Sequence, residues 1–129
     1  MSDRSEPSPR RSAGMEKMKE VYNFSVDPEK IPGDFVDITV DHLFGTIWAR
    51  PALGVPERRL LTIGALSGIG RKELLEVQFR SALERGEMDE DQVREVVVHL
   101  THYVGWPLGT VLNEAAESVI ASRRVADER

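Results

Sequence analysis

The sequence predicts an all-α fold of about six helices, and three observations carry that reading. Apolar residues return at three- and four-residue steps through successive segments, the period of a helix face. Proline and glycine fall between those segments and break the chain there. The one apolar run that competes as a buried strand, in PERRLLTIGALSGIG, is long for a strand and does not alternate. At 129 residues the chain suits one domain and is short for two.

The opening stretch MSDRSEPSPRRS is rich in serine, proline and charge and has little to bury, so residues 1–13 are expected to form a disordered tail. The domain is then expected over residues 14–125. In GMEKMKEVYNF, Met15, Met18 and Tyr22 share one helical face and predict a short helix. SVDPEKIPGD carries two prolines and a glycine and reads as a loop. DFVDITVDHLFGTIWAR predicts a longer helix with Asp34 as its N-cap, after which RPALGVP breaks the chain.

Pro56 suits the first turn of the next helix, and Glu57 there complements the helix dipole. Past Arg59 this helix is apolar nearly all round, which predicts burial on several sides. Its Gly64, Ala65, Ser67 and Gly68 would permit close helix–helix approach. RKELLEVQFRSALERG is amphipathic, with Leu74, Leu75, Ala82 and Leu83 on one side and Gly86 as its stop. In MDEDQVREVVVHLTHYVG, Asp89 caps a helix whose core stripe is Val93, Val96, Val97 and Leu100. Gly105 ends that helix and Pro107 opens the last one, PLGTVLNEAAESVIASRR.

Composition narrows the functions. Hydrophobic residues at 40% and charged residues at 30% are ordinary for a globular protein. A net charge of −5 argues against nucleic acid as a partner, because phosphate binding needs a cationic face. No apolar run reaches the roughly 20 residues that cross a bilayer, and the start lacks the apolar centre of a signal peptide. The cysteine count is zero, which removes disulfides, thiolate metal sites and any cysteine redox cycle. A cytoplasmic location fits.

The candidate chemistry sits in HLTHYVGWP, which holds two of the three histidines. Gln92, Glu95, His99 and His102 fall at steps of three and four and so share one stripe beside the valine face. Glu95 there could accept a hydrogen bond from His99 and orient a general acid or base. The competing reading is a solvated polar seam or a subunit contact, and the spacing matches no strong metal signature. Gln78 projects from an apolar face, where an unpaired amide costs about 1–3 kcal/mol; it either satisfies another buried group or lines a pocket. Arg50, Arg58 and Arg59 are each candidates to bind a substrate carboxylate with a bidentate fork, or else ion-pair partners. Trp48 and Trp106 read as core or interface anchors, with Trp106 placed to wall a pocket beside the histidines.

FGTIWARPAL, RRLLTIGAL, LLEVQFRSALERG and DEDQVREVVVHLTHYVGWP together resemble the carboxymuconolactone decarboxylase family over about residues 34–120. The order and spacing of the pieces make the combination specific, although each alone is weak. The resemblance implies the alkylhydroperoxidase D-like helical fold and assembly as homotrimers or homohexamers. One branch of the family reduces peroxides with a Cys-x-x-Cys pair; the other resembles γ-carboxymuconolactone decarboxylase of aromatic catabolism. The two redox cysteines would fall at Arg71 and Leu74, and the histidine after them at Gln78. Thiol peroxidase activity is therefore not expected, and an amide at position 78 cannot shuttle protons as imidazole does.

The expectation is thus a lyase that decarboxylates a small carboxylated lactone or related enolisable acid. It would use no metal and no organic cofactor. His99, His102 and Gln78 are the catalytic candidates, with Trp48, Arg58, Arg59 and Trp106 binding substrate. The alternative is a catalytically silent oligomer that binds a small molecule or partner. Assembly is expected on physical grounds too, since about 115 ordered residues bury only about two-thirds of their surface as a monomer.

Overall fold

A computed structural model describes residues 7–128 of the chain, all helix and connecting turn with no strand among them. The chain divides into two compact units, one ending at Val55 and the other starting at Pro56.

The first unit is built on α1 (Pro9–Tyr22), α2 (Asp34–Ile38) and a π-helical segment (Thr39–Ile47) that continues α2. Residues 1–6 of the expected tail lie outside the described residues. Pro9 to Ala13, also expected as tail, instead form the first turns of α1. The reason is local: the Ser8 hydroxyl accepts from the Arg11 N–H at 3.1 Å, and proline sits at the helix start where its missing N–H costs nothing. The helix is then tied down by Arg11. Its Nε and Nη2 donate to the two carboxylate oxygens of Asp41 at 2.9 Å each, and Nη2 also reaches Asp37 at 3.0 Å. Nη1 donates to Glu29 at 3.4 Å. The hydrogen bonds from Arg11 hold the Asp41 carboxyl below the usual carboxylate range.

Met18 and Val21 of α1 meet Val40, Phe44, Trp48 and Val55 in a small buried cluster. Gly14 makes this possible, because a Cβ there would run into the Val40 carbonyl. The second helix departs from expectation in two ways. Gly33, at φ +116°, is its N-cap rather than Asp34, and Asp34 lies in the first turn. From Thr39 the turns widen, ending with the Trp48 N–H bonded to the Leu43 carbonyl at 2.8 Å.

The second unit holds most of α3 (Val55–Ile69) together with α4 (Lys72–Glu84), α5 (Glu90–Val104) and α6 (Trp106–Asp127). Its core joins Ile63, Leu75, Phe79, Val93, Leu112 and Ile120, among others. The stops expected at Gly86 and Gly105 and the cap expected at Asp89 hold, and Gly70 adds a stop that the sequence reading did not name. Gly70 and Gly86 take φ of +78° and +71°, the left-handed turns that end α3 and α4. Asp89 and Gln92 form a reciprocal capping box, with Gln92 N–H to Asp89 Oδ1 at 2.8 Å and Asp89 N–H to Gln92 Oε1 at 2.9 Å. Gly105, at φ +93°, separates α5 from α6. Gly109 lets those two helices close, since a Cβ there would collide with the Thr101 side chain.

α3 reverses the sequence expectation of burial on several sides. Leu60, Leu61 and Ile69 are 47%, 64% and 66% exposed, while Arg59 and Ser67 of the same helix are fully buried. Leu74 of α4 is likewise exposed at 40%, and Phe79 takes the core place expected for it.

Arg11→Ala is expected to destabilise the chain by about 1–3 kcal/mol, the scale of a lost charged hydrogen bond. Because Asp41 titrates lower when folded than unfolded, its contribution is present above the unfolded carboxylate pKa near ~3.9 and is lost as pH falls through the folded value. Thermal melts from pH 7 to pH 3 should therefore fall less steeply for Arg11→Ala than for the parent chain. Parallel curves would contradict this account.

Candidate active site

Arg59 decides which way α3 faces. It is the largest fully buried side chain, and its guanidinium is surrounded by acceptors. Nε and Nη2 donate to the two oxygens of Glu87 at 2.6 and 3.0 Å, a bidentate pair. Nη1 donates to Oε1 of Gln78 at 2.8 Å. Gln78, only 3% exposed, therefore satisfies a buried cation, which resolves the two readings its position allowed. Successive residues on a helix lie about 100° apart, so drawing Arg59 inward turns Leu60 and Leu61 outward.

These two leucines form one wall of a cavity of about 480 Å³. The other wall is α5, which contributes Gln92, Glu95, Val96, His99 and Leu100. Three members of the predicted polar stripe thus face one apolar-walled cleft. Gln92 accepts from the Asp89 N–H through Oε1, so its Nε2 donors remain for a ligand. The His99 ring packs on Tyr103 with centroids 5.1 Å apart. Glu95 stands one helical turn before His99, and the expected hydrogen bond between them is not formed in this structure.

The remaining stripe residue goes elsewhere. His102 lines a separate cleft of about 280 Å³ between α5 and α6, with Trp106, Thr101, Thr110 and Asn113. Its Nδ1–H donates to the Val98 carbonyl at 2.7 Å, which leaves Nε2 as the acceptor of the neutral ring. Trp106 meets it edge-on, centroids 5.4 Å apart, as a wall of that cleft. The two histidines therefore do not share a cavity. Among the described residues no three His, Asp or Glu side chains gather as a metal-binding group.

The other substrate-binding candidates are also dispersed. Arg59, expected to grip a substrate carboxylate, is enclosed and its fork is taken by Glu87. Arg58 is half-buried outside the residues lining the cleft. Trp48 belongs to the core of the first unit, stacked on Phe44 with centroids 6.0 Å apart. Sequence reasoning missed Leu60 and Leu61 as cavity walls and Glu87 as the partner that places them. The only signal for Glu87 was an acid directly after the Gly86 stop.

The family model described as "Carboxymuconolactone decarboxylase family" matches residues 33–118, leaving α1 outside the match. The chain is 29% identical over 96 residues to the 4-carboxymuconolactone decarboxylase of Acinetobacter baylyi, spanning 74% of this chain and 71% of that one. It is 37% identical over 73 residues to a nitrosuccinic acid decarboxylase of Metarhizium robertsii, spanning 55% of this chain and 49% of that one.

Removing Arg59 alone leaves Glu87 and Gln78 buried without their cation. Arg59→Ala is expected to cost about 3–5 kcal/mol in urea denaturation, whereas replacing Arg59 and Glu87 together by apolar residues should recover most of that loss. Equal losses in the single and double variants would show that the pair is not the source of the effect.

Proposed function

The chain belongs to the carboxymuconolactone decarboxylase family, and from that premise we propose that it is a decarboxylase-like lyase acting in the α3–α5 cleft. Its substrate on this reading is a small carboxylated lactone or related enolisable acid, turned over without a metal or organic cofactor. The observation that carries the proposal is the convergence of Gln92, Glu95 and His99 on a cleft otherwise lined by aliphatic side chains.

Loss of CO₂ breaks a carbon–carbon bond and leaves an electron pair on the substrate. A conjugated carbonyl takes up that pair as an enolate, and a general acid returns a proton to carbon. His99 is the group in the cleft whose imidazole can hand that proton to carbon and take one back from water. On this reading the Nε2 group of Gln92, whose Oε1 is held by the Asp89 N–H, donates to the enolate oxygen as charge develops there. Glu95 offers the second imidazole nitrogen an acceptor when the ring turns toward it. Gln78 and Arg59 act on this view as positioning residues, because both are spent on the buried network. A sequence without cysteine holds no thiol for peroxide reduction.

Exposed apolar side chains outside the cleft lining, Ile69, Tyr103 and Trp106 among them, support assembly as a homotrimer or homohexamer, because exposed apolar patches mark contact surfaces. A cytoplasmic role in the breakdown of ring-derived acids fits the same reading.

Incubation with a panel of carboxylated lactones and β-keto acids, 4-carboxymuconolactone included, should release CO₂ stoichiometrically with substrate loss. His99→Ala is expected to lower kcat by about 100-fold or more, the usual yield of general acid catalysis, while His102→Ala leaves kcat near that of the parent chain. No turnover of any panel member, with ligands still bound, would favour a silent binding protein instead. Light scattering at micromolar concentration should give a trimeric or hexameric mass; a monomer would refute the assembly.

A further inference from the structure

The second cleft, between α5 and α6, takes no part in the chemistry proposed above, and its lining has a consistent character. Three of its polar side chains spend a hydrogen on a carbonyl of the preceding turn. Thr101 Oγ1 donates to the Val97 carbonyl at 2.6 Å, His102 Nδ1 to that of Val98 at 2.7 Å, and Thr110 Oγ1 to that of Trp106 at 2.9 Å. Each therefore has only acceptor lone pairs left for a ligand: two hydroxyl oxygens and the Nε2 of a neutral imidazole. Asn113 brings an amide to the same cleft, and the Trp106 ring, 66% exposed, stands at its wall. Gly109 leaves the way to Thr101 open, since a Cβ there would run into the Thr101 side chain. No aspartate, glutamate, lysine or arginine lines this cleft.

Independently of the decarboxylase reading, we propose that the α5–α6 cleft is a binding site for a small primary alkylammonium ion. A primary ammonium carries three N–H donors and no acceptor, the complement of the Thr101, His102 and Thr110 lone pairs. A cation is also attracted to the face of an indole ring. Val97 and Val98 offer the alkyl chain an apolar contact. A carboxylate meets the reverse situation, because the side-chain donors left for it are the Trp106 N–H and the Asn113 amide.

The helix ends do not decide the matter. The C-terminal end of α5 favours a cation, the N-terminal end of α6 opposes one, and both border the cleft. The net charge of −5 adds a weak general attraction for cations. At about 280 Å³ the cleft lies just below the roughly 300–1,000 Å³ of drug-sized sites, so a short chain is what fits. His102, Thr110 and Asn113 stay open to water, so the ion keeps part of its hydration and its affinity is modest.

Trp106 reports occupancy directly, because the other tryptophan, Trp48, is buried in the core of the first unit. Titrated with n-butylammonium chloride at constant ionic strength, the chain should show a saturable change in tryptophan fluorescence. Tetramethylammonium, which has the charge but no N–H, should bind several-fold more weakly, and butyrate should give no saturable change. Thr110→Val and His102→Ala, both at exposed positions, should each weaken n-butylammonium several-fold, whereas His99→Ala should bind it as the parent chain does. Tetramethylammonium or butyrate binding as tightly as n-butylammonium would overturn the proposal. So would an affinity unmoved by both Thr110→Val and His102→Ala, or one lowered by His99→Ala. Absence of any response, as when neighbouring copies seal Trp106 within an assembly, would overturn it as well.

Discussion

A guanidinium placed in a protein interior must find acceptors for its donors, because an unpaired buried charge is too costly to keep. In the second unit Arg59 meets this demand with Glu87 and Gln78, which come from the turn after α4 and from α4 itself. Two consequences follow for the rest of the unit. The rotation of α3 about its axis is fixed, since the buried arginine leaves the adjacent leucines outside. The one amide on the core face of α4 is also engaged, its Oε1 accepting from Arg59. The cleft against α5 is what remains once those constraints are satisfied.

The first unit uses the same kind of interaction at the opposite depth. Arg11 also presents a fork to a carboxylate, but its partners Asp41, Asp37 and Glu29 are partly exposed and stand among water. There the pair ties an N-terminal helix, outside the family match, onto the π-helical segment. Solvent keeps its contribution modest and sensitive to acid, whereas the Arg59 pair is shielded and sensitive mainly to loss of one partner.

Much of this architecture was legible in the sequence because its signals are local. Asp89 and Gln92 write a capping box within four residues, and Gly86 and Gly105 stop helices by a backbone angle that other residues resist. The stripe of Gln92, Glu95, His99 and His102 was legible for the same reason. What neighbours that stripe meets was not. His99 and His102 lie three residues apart, about 60° around the helix, enough to send one toward α3 and the other toward α6. The orientation of α3 was hidden more deeply. A segment apolar on every side has no preferred face of its own, and the residue that orients it, Glu87, lies 28 positions from Arg59. The widening of the second helix after Thr39 left no clear periodic mark either, since Val40, Phe44 and Trp48 suit an α-helical reading equally well.

These points meet at Glu87. The sequence places an arginine directly beside the leucines that wall the cleft, and an arginine at the cleft would have supplied the cation expected to hold a substrate carboxylate. Glu87 captures that guanidinium from behind, with two hydrogen bonds of 2.6 and 3.0 Å, and the cleft is left with an aliphatic wall. The charge character of the proposed site is therefore set by a residue that does not line it.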